Sequence, residues 1–292
     1  MIHYDQPLYR PPSEADSLII QVTLGCSHNR CIFCDMYKGK DFLIRPLEAV
    51  LEDLDTAIPY AGRISKVFLA DGDALGIPTD YLLAILENVN RRFPLVRRIS
   101  AYANTGNLLK KSGRELELLR EAGLGLLYLG AESGSDNLLR RIRKGALKDH
   151  HREAILRARA AGMQISVMII TGLGGEEFSR EHQEQSADLI NQAPPTYLAT
   201  LSLMISDQAR PLFTEAFPEG FTELDDFQGL EENRGLLSLI ETETPVIFRS
   251  NHASNALSLK GTLPADRDRL IAQIDGALEG HTSVRPLWMR GL

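Results

Sequence analysis

Cysteine is scarce in this chain: three residues in 292, all within the stretch from Cys26 to Cys34. An odd, clustered set excludes the disulfide framework that staples small secreted domains. No run of eighteen apolar residues occurs, so no transmembrane helix is expected. The N-terminus lacks a basic patch followed by an apolar stretch, so it does not read as a secretory signal, and a cytoplasmic location is expected. Positive charge is not in excess either. The 32 Lys and Arg are outnumbered by 39 Asp and Glu, which disfavours a nucleic-acid partner. Internal repeats, low-complexity segments and a Walker phosphate loop are all missing.

The remaining composition, 43% hydrophobic and 24% charged, is that of a soluble globular protein. Its length suits one large α/β domain or two small ones, with a core built without disulfides. Short apolar runs alternate with helical periodicity. Strands are expected at residues 17–23, 65–70, 97–103, 125–129, 164–170 and 197–203, with helices between them. The strands are nearly continuous in apolar character, as in parallel sheets buried on both faces. The fold class is therefore α/β, with polar residues and glycines gathered after the strands, where such folds build their sites. Residues 206–229 break the pattern and read as a loop or lid. A helix over 231–241, a short strand over 246–248 and a helix over 266–278 follow.

Cys26-x4-Cys31-x2-Cys34 sits in the loop after the first strand. Three thiolates can bind three irons of a cubane and leave the fourth iron open to a non-protein ligand. An open coordination position signals reactivity more than structure. A structural Cys3His zinc site using His28 is the competing reading of the loop, although such sites usually draw ligand pairs from separated segments.

The loop at residues 25–34 (GCSHNRCIFC) resembles the radical S-adenosylmethionine (SAM) superfamily, whose usual spacing, Cys-x3-Cys-x2-Cys, is one residue shorter. The resemblance covers residues 17–206. It implies a partial (β/α)6 TIM-like barrel there, preceded by an N-terminal strap (1–16) and followed by a C-terminal extension (207–292). It further implies a [4Fe-4S] cluster on Cys26, Cys31 and Cys34, with SAM as its ligand. Phe33 matches the family's aromatic near the adenine. Asp71 and Asp73, in Ala70-Asp71-Gly72-Asp73, stand where the family carries Gly-Gly-Glu and contacts the SAM amino group; the plain alternative is an Asp-Gly turn. Glu132 and Ser133 look like the polar segment that contacts the SAM ribose and methionine, while Ser133 or Ser135 equally suits a helix cap. Ile169 is similar to the apolar residue packed against the adenine.

The resemblance implies reductive cleavage of SAM to a 5′-deoxyadenosyl radical that takes hydrogen from a substrate, here expected to be a small molecule. It also implies an external one-electron donor of flavodoxin or ferredoxin type. No second cysteine set exists for auxiliary clusters, and no cobalamin-binding domain is expected ahead of the barrel. A non-catalytic iron–sulfur, SAM or tetrapyrrole-binding module, or a zinc-stabilised domain, are the alternatives. Residues 248–260 (FRSNHASNALSLK) form a second dense polar stretch, similar to segments in small members grouped with oxygen-independent coproporphyrinogen oxidase. Arg249 is the candidate ligand for a carboxylate or phosphate, and His252 the candidate acid, base or positioning group. A hydrogen-bonded closing loop is the alternative. Arg140, Arg143 and Lys144 read as a solvated basic face, with a cation meeting the SAM carboxylate as the alternative, and Asn104, Thr105 and Asn107 as cavity lining or a turn. His150 and His151 are expected to face solvent, and Trp288 to pack down the tail.

Overall fold

Strands form where the chain is apolar and β-branched. In the computed structural model, which describes residues 2–290, these are β1 (Leu18–Gln21), β2 (Thr23–Leu24), β3 (Leu43–Ile44), β4 (Lys66–Ala70) and β5 (Arg98–Ala103). β6 (Leu124–Glu132), β7 (Gln164–Thr171), β8 (Tyr197–Ser202), β9 (Val246–Ser250) and β10 (Leu259–Leu263) follow. The helices are α1 (Leu47–Ala57), α2 (Thr79–Arg92), α3 (Thr105–Lys110), α4 (Gly113–Glu121) and α5 (Asp136–Arg141). After them come α6 (Lys148–Ala160), α7 (Gly175–Gln192), α8 (Arg210–Ala216), α9 (Asp226–Leu239) and α10 (Arg267–Leu278). No helix among the described residues is long and apolar enough to cross a membrane.

The chain divides into two compact units. The first comprises residues up to Asn29, Cys34–Leu129 and Leu156–Ile165. In it β1, β4, β5 and β6 lie side by side and parallel. Val67, Phe68, Leu69 and Ala70 of β4 are all fully buried, which is why the strand reads as a continuous apolar run. α2 buries Leu82, Ile85, Leu86 and Val89, the i, i+3, i+4, i+7 stripe of an amphipathic helix. α4 starts on a capping box, in which Ser112 and Glu115 satisfy each other's main-chain N–H.

Beneath these strands Glu14 is fully buried. Its Oε1 accepts from Arg98 Nη2 at 2.7 Å and Tyr128 O–H at 2.5 Å, and its Oε2 from Ser17. A buried charge is tolerated when paired and hydrogen-bonded in this way.

The second unit comprises Arg30–Phe33, Gly130–Ile155 and the chain from Ser166 onward. β7, β8 and β9 are parallel neighbours, and β10 pairs antiparallel with β9. α9 packs against both α7 and α10. Phe213, Phe217 and Phe221 cluster with Phe178, and the Arg141 guanidinium lies 4.7 Å from the Phe178 ring centre and 5.1 Å from that of Phe217.

Several expectations are corrected. The stretch 206–229 is not all loop: it contains α8, whose Pro211 occupies a first-turn position where a missing N–H costs nothing. β10 and α3 form where the sequence pattern predicts no element. His151 is fully buried in line with Ala154, Ile155 and Ala158, the inner stripe of α6. Trp288 is 79% exposed and packs nothing down.

Replacing Glu14 with Ala leaves Ser17 without its carboxylate acceptor and reduces Arg98 and Tyr128 to their bonds with Ser13. Because Arg98 is partly exposed, the expected loss is about 3 kcal/mol, at the low end for a broken buried pair. Glu14→Gln, which keeps one acceptor oxygen, is expected to lose less. Urea unfolding midpoints measure both.

Candidate functional site

The cysteine loop leaves β2 through Gly25, which has φ +70°; a side chain there would meet Asp41 O at 2.9 Å. Cys26, Cys31 and Cys34 are partly exposed and form no disulfide. Among the described residues no group of three His, Cys, Asp or Glu side chains converges as ligands of a single ion. A cubane does not require that convergence, because each thiolate binds a different iron. Within the loop's second-unit portion, Ile32 is buried in the apolar cluster of Leu138, Leu139 and Ile142, and its N–H donates to Ile142 O at 3.1 Å.

In the first unit β4 ends at Asp71-Gly72-Asp73. Both carboxylates are fully buried. Asp71 Oδ2 accepts from Gly25 N–H at 3.2 Å and faces Lys40 Nζ at 3.5 Å. Asp73 Oδ2 accepts from Ser27 O–H, from Asn104 Nδ2 at 2.9 Å and from Asn107 Nδ2. The second oxygen of each, Oδ1, is buried without a hydrogen-bond partner, and so is the Tyr37 hydroxyl. Burial pushes both carboxyls above their ordinary pKa; Lys40 opposes this most strongly at Asp71, and Ser27 and Asn107 do so at Asp73.

Gly72 allows the close fit. A Cβ there would stand 2.7 Å from the Tyr37 ring and 3.0 Å from Cys26 Cβ. The Asp-Gly turn reading is thus incomplete, since these aspartates grip the cysteine loop through Gly25 and Ser27. Asn104 both caps α3, accepting from Asn107 N–H, and holds Asp73. On the other side of Asn107 lies an open groove of about 510 Å³ bordered by Thr79, Lys111 and Glu115.

In the second unit β6 runs on to Glu132, which has φ +67°. Its Oε1 accepts from Lys144 Nζ at 2.8 Å, and that ammonium lies 6.0 Å from the Phe33 ring centre. Lys144 is therefore not part of a solvated face, whereas Arg140 is exposed. Ser133 is fully buried. Its hydroxyl accepts from Ser135 N–H at 2.9 Å and bonds His182 Nδ1 at 2.8 Å. Ser135 is the residue that caps α5. Ile169 is buried in β7.

Arg249 donates through Nη1 to Phe248 O at 2.8 Å and Gly261 O at 3.5 Å. His252 is partly exposed, and its Nδ1 engages Ser254 Oγ at 2.8 Å. Burial and the nearby Arg285 hold its pKa below the ordinary value, so the ring is neutral near pH 7. Asn255 spends its side chain on Ser202, Thr200 and Ser250, which ties β8 to β9. Much of this segment is structural wiring.

Sequence reading missed His182, Glu232 and Asn233, all buried and polar. Glu232 accepts from Gly172 N–H at 2.6 Å and Ser179 O–H at 2.5 Å. The signal was present: His182, Ser186, Leu189 and Ile190 share the inward stripe of α7.

The profile of the radical SAM superfamily matches residues 20–187. This chain belongs to the radical SAM superfamily. It is similar to a Methanocaldococcus jannaschii protein named as a methylthiotransferase, at 28% identity over 161 residues, 51% of this chain and 34% of that protein. It is also similar to the heme chaperone HemW of Bacillus subtilis, at 24% identity over 189 residues, 62% of this chain and 48% of HemW. The chain thus spans less than half the length of either curated relative.

Among solved structures it resembles methylornithine synthase (PylB), with TM-score 0.55 and 18% identity over 79% of this chain and 63% of that one. It also resembles the radical SAM methyltransferase TsrM of Kitasatospora setae, with TM-score 0.54 and 19% identity over 68% and 38%. At these identities the likeness shows the fold, a partial β/α barrel of α/β class.

Members of the superfamily generally bind a [4Fe-4S] cluster and SAM. The residues present fit that pair: three thiols in one loop, and beside Cys26 two buried carboxylates, each with an unmet oxygen suited to an ammonium.

A carboxyl whose folded pKa is raised binds more protons folded than unfolded. Its cost to stability is therefore absent below the ordinary carboxylate pKa and grows as pH rises through the raised value. Asp73→Asn removes this charge while keeping an oxygen for Ser27, Asn104 and Asn107. The variant is expected to be more stable than the parent at pH 7, with the gain vanishing toward pH 3. Thermal midpoints across pH measure it, and a destabilised variant at pH 7 contradicts the assignment.

Proposed function

We propose that this chain is a radical SAM enzyme acting on a small molecule, with Cys26, Cys31 and Cys34 holding the cluster. The observation that carries the reading is the three-cysteine loop seated on paired carboxylates with unmet oxygens. Bound together, the cluster and SAM supply one-electron reductive cleavage to methionine and a 5′-deoxyadenosyl radical. Electrons come from an external flavodoxin- or ferredoxin-type donor.

The protein's part is binding and orientation. Asp73 has three neutral donors and no directly bonded cation, so its free oxygen is the ligand for the SAM ammonium. Asp71, partly neutralised by Lys40, pins Gly25 and thereby Cys26. Phe33 and Ile169 border the adenine, and Glu132 and Ser133 shape the ribose and methionine side. On the substrate side, His252 accepts from Ser254 N–H at Nδ1, so its neutral ring presents Nε2–H as the donor that positions the substrate or polarises a group undergoing proton transfer. Arg249, which uses only Nη1 in its main-chain bonds, offers Nη2 and Nε to a substrate anion.

The match to HemW favours a second reading, in which the chain handles a tetrapyrrole without turning over SAM. Deoxyadenosine formation separates the two. Anaerobically reconstituted protein, given SAM and a strong reductant, is expected to release 5′-deoxyadenosine. Cys26→Ala, Cys31→Ala and Cys34→Ala are each expected to abolish it. An intact, SAM-binding cluster without cleavage would favour the tetrapyrrole reading. His252→Ala is expected to retain uncoupled SAM cleavage within about twofold and to lose substrate turnover by 10²-fold or more, the range of a general acid or base. Survival of both activities removes His252 from the site.

A further inference from the structure

α7 carries a row of polar side chains turned inward. Glu181 accepts from Ser135 O–H at 2.5 Å, Ser186 accepts from Gly134 N–H at 2.9 Å, and His182 Nδ1 meets Ser133 Oγ at 2.8 Å. Gly134 lies so close to the helix that a Cβ would stand 2.0 Å from Gln185 O. The turn after β6, immediately beyond Glu132, is thus read residue by residue by α7.

On its other side the His182 ring faces Glu232 Oε1 at 3.8 Å and hydrogen-bonds the Ile170 main chain. That same Glu232 oxygen accepts from Gly172 N–H at 2.6 Å, the first residue after β7. His182 and Glu232 are both almost fully buried. The ring N–H donates to the Ile170 main chain, so the neutral ring carries its proton on the edge facing β7 and accepts the Ser133 hydroxyl at Nδ1. A neutral ring with one acceptor and one donor edge thus spans from the turn after β6 to the end of β7.

We propose that His182 is a positioning residue for SAM: it ties the turn bearing Glu132 and Ser133 to the end of β7 at Ile170, beside Glu232, which holds the turn after β7. This rests on the reading above, in which Glu132, Ser133 and Ile169 border SAM. Mobile turns would leave those groups correctly chosen but poorly placed, and placement errors of about an ångström are costly in binding and catalysis. The hydrogen bonds of this bridge leave no buried polar edge unmet, which is the condition for such a network to be rigid.

The test uses the full chain with His182→Leu, His182→Asn and Ser133→Ala. Asn places its Oδ1 where Nδ1 stands and keeps the acceptor; Leu removes it. In protein without cluster, amide hydrogen exchange at Ser135 and Gly172 is expected to speed up about tenfold in His182→Leu and to stay near the parent in His182→Asn. In reconstituted protein, the KM for SAM in deoxyadenosine formation is expected to rise about tenfold in His182→Leu and to stay near the parent in His182→Asn, with kcat and iron content little changed, a loss comparable to one hydrogen bond. The double variant should be no worse than His182→Leu alone.

Unchanged exchange, or faster exchange with unchanged KM, overturns the proposal. Equal impairment of the Asn and Leu variants does the same, since bulk packing would then be the role. If His182→Leu does not fold, amide exchange at Gly172 in Ser133→Ala, read without cluster or SAM, carries the test: faster exchange is expected, and unchanged exchange overturns the proposal. Parent protein that holds a cluster but cleaves no SAM fails the functional reading itself, a result visible before any variant is made.

Discussion

A carboxylate taken out of water keeps its charge only if donors or a cation replace the lost hydration. Asp71 and Asp73 meet this condition halfway. One oxygen of each is satisfied, by Gly25 and Lys40 in one case and by Ser27, Asn104 and Asn107 in the other, and the second is buried and unmet. The satisfied oxygens fix the cysteine loop. The unmet ones oppose folding and are stabilised by a cation of the right size. Gly72 between them lets Cys26 and Tyr37 close in, so loop, carboxylates and ring form one packed group.

The second unit uses buried polar groups in the opposite way. Its Ser133–His182–Ile170 network, beside Glu232, leaves little unmet: each hydroxyl, ring edge and main-chain N–H in it has a partner. A satisfied network rigidifies, whereas an unsatisfied carboxylate waits for a ligand. The contrast separates groups left with unmet bonding capacity from groups held still by their partners. It also explains why the segment around Asn255, polar in sequence, is largely committed to β8 and β9.

The fold was legible because parallel strands buried on both faces, such as Val67–Ala70, write themselves as apolar runs. The cysteine loop was legible because few structural roles need three thiols so close together. β10 was not, since its Lys260 and Gly261 interrupt the apolar pattern and its pairing is set by β9. α8 was hidden by Pro211. His151 and His182 lie in charged stretches, and only their alignment with Ala154 and Ile155, or with Leu189 and Ile190, betrays their burial. Lys144 was misjudged because its partner, Glu132, stands twelve residues away on a strand that proved three residues longer than its apolar run.

The central claim is that this chain presents an open iron to SAM. The direct measurement is metal and sulfide analysis of anaerobically prepared protein, followed by electron paramagnetic resonance of the reduced form with and without SAM. The account predicts about four irons per chain and a cluster signal that changes when SAM is added. Zinc without iron or sulfide, or a cluster signal indifferent to saturating SAM, would contradict it.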